Sequence, residues 1–357
     1  MKHINANISN QVLFIGPNYK RPKGGIAQVL SVYSKYFDTF NFISTLNGDS
    51  KLLKILTIMK AYVIFIFYML FKNIKIVHVH GTANNSIKRK SIFINTAKTF
   101  GKKVIYHVHS ATLPDCDKTQ HDFINKTFKK CDLVISLTPY WNDYISNTYE
   151  CKKVVSVENI IDFPSICSSQ SGKDDSVITF LYLGLISKHK GIYDLVDVVV
   201  ENFQQYNGKV KILIAGNGET DKLTSLITEY GISEVMEYIG WVVGDKKSEL
   251  LHQCDVYLQP TYAEGQPISI LEALSYGKPI LTTPVGGIPD IVKQNLNGIL
   301  FTPGNKRQLS DAIYSFINMS QEKRAEMGQQ SLSLVASHMP DKVIEKLETI
   351  YNELLNK

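Results

Sequence analysis

The chain has 357 residues, 44% of them hydrophobic and 20% charged, with 22 glycines and 12 prolines. That balance excludes collagen-like, low-complexity and disordered chains, and it supplies apolar material for two cores. Lys and Arg number 39 against 33 Asp and Glu, a formal charge of +6; this is too mild for a dedicated nucleic-acid binder, but it suits anionic ligands or an anionic membrane surface. The five cysteines are scattered and never in C-x-x-C spacing, which excludes a disulfide framework or zinc ribbon and predicts a reducing, cytoplasmic setting.

The N-terminus, M-K-H-I-N-A-N-I-S-N, lacks the apolar run of a signal peptide. The longest charge-free apolar run, Ala61 to Phe71, has eleven residues, whereas a membrane span needs roughly 20. No crossing of a bilayer is expected. Further on, β-branched and aromatic runs alternate with helical patterns, the signature of parallel βαβ units. Strands are predicted at Val12–Ile15, Ile74–Val79, Val104–Val108, Leu133–Leu137 and Val154–Val157, then at Ile178–Leu183, Val210–Ala215, Val256–Leu258 and Ile280–Thr282. Most are continuously apolar, as in sheets covered on both faces. The polar stretch 166–176 reads as a linker. The expectation is two doubly wound α/β domains facing a central cleft, at 1–165 and 177–338. A last amphipathic helix over 339–357 would cap the fold, packing back on the N-terminal domain.

In open α/β sheets, ligands bind outside the carboxyl ends of strands. The loop after Val12–Ile15 carries Gly24 and Gly25 before an apolar helix; this could be a structural turn or a phosphate cradle. Two H-x-H triplets, His78-Val79-His80 and His107-Val108-His109, end strands. A zinc site is one reading, with a metal-dependent hydrolase as its corollary. The other packs one histidine of each pair inside and leaves His80 and His109 at the ligand site. The stretch from Gln259 is richest. Glu264-Gly265 precede a helix opened by Gln266-Pro267 and ending near Gly277, with Glu272 about two turns in. Donors from Gln266 to Ser269 suit a diphosphate. Lys188 and Lys190, just past strand Ile178–Leu183, could neutralise one. Asp115-Cys116-Asp117 matches the D-x-D motif of metal-dependent transferases, but it sits in a polar loop with no buried strand before it.

Together these residues resemble a known family. Glu264 to Glu272 has the E-x7-E spacing of retaining sugar-nucleotide glycosyltransferases of the GT-B fold, family 4 type. The surrounding E-G-x-P-x-x-x-x-E-A-x-x-x-G-x-P, then G-G-I-P-D, H-V-H-S, N-I-I-D, Lys190-Gly191 and A-G-N-G are similar too. The resemblance implies that Glu264 contacts the donor sugar, Glu272 the ribose, and Lys190 the diphosphate. Backbone groups of Gly25 and of Gly265, Gln266, Pro267 and Ile268 would assist, and Ile239–Gly240 would hold the base. His109 would lie beside the anomeric carbon. Donors would be UDP- or GDP-linked and the acceptor a glycan or polyprenyl-linked sugar, with no metal and no other cofactor. Leu185 stands where the family commonly has an arginine. A non-catalytic, two-lobed binder of sugar nucleotides is the remaining alternative.

The segment Leu52 to Phe71 is apolar nearly all round with lysine flanks. One reading is a helix packed on the N-terminal sheet; the other lays it on an anionic membrane surface, with Phe65 and Phe67 among its contacts.

Overall fold

The computed structural model describes residues 2–20, 24–46, 51–83, 85–162 and 177–356. They form two compact units, one of Met1–Asp162 with Ser337–Lys357 and one of Phe163–Ala336. The stretch 166–176, expected to be a linker, lies outside the described residues.

The first unit has strands β1 (Val12–Gly16), β2 (Asn41–Ser44), β3 (Ile76–Gly81), β4 (Lys103–Val108), β5 (Leu133–Ser136) and β6 (Val154–Ser156). They run in the order β2-β1-β3-β4-β5-β6, all parallel. The second unit has β7 (Ile178–Leu183), β8 (Val210–Ala215), β9 (Met236–Tyr238), β10 (Val256–Gln259), β11 (Ile280–Thr282) and β12 (Gly298–Leu300). Their order is β12-β11-β10-β7-β8-β9, again all parallel. In each sheet the winding reverses beside the first strand, between β1 and β3 and between β7 and β10. The carboxyl ends of those pairs form the crevices where such sheets bind ligands.

Every residue of β1, β3 and β10 is buried, which explains their uninterrupted apolar character. Strands β2, β9 and β12 escape the sequence pattern. Each sits at a sheet edge and has only one fully buried position. An edge strand needs less apolar content than a central one.

The last helix, Pro340–Leu355, opens on proline and buries Val343, Ile344, Leu347 and Tyr351. Its stripe belongs to the first unit, where the Tyr351 hydroxyl lies 2.7 Å from His78 Nδ1. Two local expectations need correction. Asp115 falls in the first turn of a helix, Leu113–Lys130, and not in a loop, and a buried strand, β4, does come before that helix. Lys54 and Lys60 do not interrupt the apolar segment either. One helix runs from Lys51 to Phe71, and its Leu53–Phe71 stretch is long and apolar enough to cross a membrane by length and composition.

Candidate functional site

In the second unit the crevice between β7 and β10 gathers the charged residues. After β7 the chain makes one 3-10 turn, Lys188–Lys190, ending on Gly191 with φ +70°. A Cβ on Gly191 would lie 1.8 Å from the Pro260 carbonyl oxygen. No side chain fits there, and the absence of one lets the loops after β7 and β10 touch. The Tyr262 N–H donates to the His189 carbonyl at 2.9 Å, stitching them together. That contact delivers the Lys190 ammonium to Glu264 Oε1.

Glu264 is buried. The same Oε1 accepts from Gln259 Nε2, and the Gln259 Oε1 in turn accepts from Ser269 Oγ at 2.9 Å. The carboxylate is thus fixed by a cation and an amide, while Oε2 has no partner among the described residues and can accept from a ligand hydroxyl. Helix Ile268–Ser275 begins immediately afterwards with Pro267 as its N-cap. Proline has no N–H, so Pro267 contributes shape and no donor. Of the residues expected to donate near the helix start, Gly265, Gln266, Ile268 and Ser269 carry an N–H. The Gly287 N–H holds the Gly265 carbonyl at 3.0 Å, which gives the G-G-I-P-D stretch a structural role behind that loop.

Glu272 lies one turn into the helix, closer than the two turns read from sequence, because the helix starts at Ile268. Its Oε1 is 2.6 Å from Lys247 Nζ, and both side chains are largely enclosed. Lys247 belongs to helix Gly244–Gln253. Sequence reading missed it because it sits in an ordinary polar helix with no motif around it. Both glutamates of the E-x7-E pair therefore hold a lysine. An ammonium has three N–H donors, so Lys190 can keep Glu264 and still reach a phosphate oxygen.

The remaining candidates divide. Lys188 and Leu185 are exposed. At the end of β9, the Ile239 N–H donates to Ile214 and the Gly240 carbonyl accepts from Gly216, both as sheet-type bonds. Among the described residues no backbone bond of this kind takes the Ile239 carbonyl or the Gly240 N–H, the two groups of this pair that a base could meet. Gly216 itself is there for packing, since a Cβ would lie 1.8 Å from the Gly184 carbonyl oxygen.

The first unit holds Gly25 and His109. Gly25 begins helix Gly25–Tyr33 just past β1. At the ends of β3 and β4, four histidines stack. His78 and His80 have ring centroids 4.4 Å apart, and so do His107 and His109. His80 Nδ1 lies 3.0 Å from His109 Nε2. The expectation that one histidine of each pair is buried is half right, because His80 is buried along with His78 and His107. Only His109 keeps partial exposure. Burial, reinforced by neighbouring histidines, holds His78, His80 and His109 well below the ordinary histidine pKa. Burial lowers His107 to about 3, partly offset by the Val157 backbone. His109 is therefore a neutral hydrogen-bonding group at pH 7. Ring nitrogens of His78, His80 and His107 lie within 4.8 Å of one another, close enough for a shared ion. However, the His78 and His107 rings are 10° from parallel at 5.5 Å. A metal binds in the plane of each imidazole, and two such planes do not meet at one ion without ring rotation.

Residues 167–333 match the family model of glycosyl transferases group 1. The fold is GT-B. The chain is similar to HepE of Anabaena, with a TM-score of 0.74 and 16% identity, covering 96% of this chain and 100% of that one. Among curated proteins of Methanocaldococcus jannaschii, the uncharacterized glycosyltransferase MJ1607 is 32% identical over 38% of this chain and 34% of its own length. The uncharacterized glycosyltransferase MJ1069 is 24% identical over 82% of this chain and 72% of its own. The chain thus spans only about a third of the first of these relatives.

Proposed function

We propose that this chain is a retaining, metal-independent glycosyltransferase of family 4 type. It moves a hexosyl group from a UDP- or GDP-linked donor to a glycan or polyprenyl-linked acceptor in cell-surface polysaccharide synthesis. The observation that carries the reading is Glu264, pinned by Lys190 and Gln259 at the start of helix Ile268–Ser275, with Glu272 one turn further on. HepE, of the same fold, was solved with UDP, with UDP and glucose, and with UDP-glucose.

In this account the donor diphosphate lies at the helix N-terminus, where backbone N–H groups and Lys190 neutralise the leaving group. Glu264 Oε2 accepts from sugar hydroxyls. Glu272, oriented by Lys247, accepts from the ribose. The anomeric C–O bond breaks as the acceptor oxygen bonds to the same face, and the departing phosphate oxygen takes the acceptor proton. The two glutamates serve opposite ends of the donor, so they do not form the carboxylate pair of a double displacement, which sits about 5–5.5 Å apart around one bond.

Calorimetry with nucleoside diphosphates in excess EDTA tests the donor site. Binding should persist, and Lys190→Ala should weaken it by about 1.5–3 kcal/mol, the range for hydrogen bonds to charged groups. The matching monophosphate should lose less. Unchanged diphosphate affinity in the variant, or binding that appears only with added manganese, would refute the assignment.

A further inference from the structure

Helix Lys51–Phe71 turns a narrow stripe to its own unit and an apolar face to solvent. Among its described residues only Ala61, Phe65 and Met69 are buried. They recur every four positions, and the stripe seats Phe65 edge-on against Phe93 at 5.3 Å. The Tyr62 hydroxyl lies 3.0 Å from Thr96 Oγ1. The far side carries Leu56, Met59, Val63, Phe67 and Leu70, at 3–4 spacing, with Val63 70% and Phe67 50% exposed. Positions 63 and 67 follow the buried 61 and 65 by two residues, about 200° around the helix, so this face is opposite the core. Phe65, expected from sequence to share it, is fully buried.

An apolar face several turns long exceeds the patches that monomeric proteins usually leave bare. The surrounding charge says what covers it. From Ser50 to Lys75, across the helix and just beyond it, the sequence has five Lys and not one Asp or Glu. Lys60, Lys72 and Lys75 are exposed along or just beyond the helix. A purely apolar partner would not select for such one-signed charge, whereas anionic headgroups above acyl chains would. The helix joins β2 to β3 of one sheet and keeps Phe65 in that unit's core. Crossing the bilayer would strip this contact, so the helix must lie flat. We infer that helix Lys51–Phe71 is an interfacial docking element. Its Leu56–Leu70 face enters the outer layer of an anionic membrane, and its lysines extend to the headgroups. This inference is independent of the transferase reading.

Co-sedimentation with phosphatidylcholine vesicles, with and without about one third phosphatidylglycerol, tests it. The full chain should bind the anionic vesicles at low salt and lose most of that binding near 0.5 M salt. Val63→Glu with Phe67→Glu should lower binding at least about tenfold while leaving circular dichroism and nucleotide binding unchanged. The triple change Lys54→Gln, Lys60→Gln, Lys72→Gln should lower it about 100-fold, roughly fivefold per lysine. This triple decides the matter if the glutamate variant misfolds. Failure of the wild type to bind anionic vesicles, or undiminished binding by the folded variants, would overturn the proposal. So would a concentration-dependent dimer that accounts for the face and leaves vesicles untouched.

Discussion

Replacing Glu264 by alanine is expected to lower turnover by about 10²-fold or more, as loss of a group that positions the sugar in the transition state would. The structure adds a complication and a control. Lys190 and Gln259 both donate to Glu264 Oε1, so alanine also leaves a partly enclosed ammonium and an amide without their acceptor. Glu264→Gln keeps an oxygen in that place and removes the charge. The glutamine variant should melt close to wild type, while its turnover falls far below wild type. Nucleoside diphosphate affinity should change little in it, because the phosphates are assigned to Lys190 and the helix start. Steady-state kinetics beside calorimetry separates these effects. Wild-type turnover in either variant would remove Glu264 from the reaction.

Acid should destabilise the first unit through its histidine stack. In an unfolded chain each histidine takes up a proton near pH 6.5. In the folded unit His107 does so only at about 3, and His78, His80 and His109 do so well below the ordinary value, all chiefly because of burial. With the folded pKa below the unfolded one, the contribution is complete above about pH 6.5 and is lost as pH falls toward the folded values. Each group costs on the order of 1.4 kcal/mol per pH unit within that window. Thermal melts should therefore drop steeply between pH 7 and about pH 5. His107→Phe, an apolar ring at a fully buried position, should make the drop shallower by about one histidine's share. A midpoint that does not move across this range would contradict the buried, neutral stack.

Much of this was legible in the residues, for physical reasons that differ by element. Central strands such as Val12–Gly16 and Ile178–Leu183 announce themselves because both faces are covered. The edge strands Asn41–Ser44, Met236–Tyr238 and Gly298–Leu300 are short and partly exposed, so neither alternation nor apolar run marks them. At the site, Glu264, Lys190 and Glu272 stood out as candidates because they flank a helix start after buried strands, and the resemblance supplied the roles proposed for them. Lys247 did not, since its pairing with Glu272 joins two helices from positions 25 residues apart, and local sequence carries no trace of that. The same holds for Phe65: the residues mark the segment as apolar all round, and only the position of Phe93 decides which side becomes core.

The anomeric configuration of the product is the most direct test of the account. Wild-type protein should be incubated with the UDP- or GDP-sugar that stabilises it most, together with an acceptor, in excess EDTA. The transferred sugar is then read by proton NMR before it can mutarotate or be hydrolysed. The proposed mechanism, with Lys190 neutralising the leaving phosphate and that phosphate taking the acceptor proton on the same face, predicts transfer with the donor's configuration retained. An inverted product, or transfer that stops in EDTA and returns with manganese or magnesium, would contradict it.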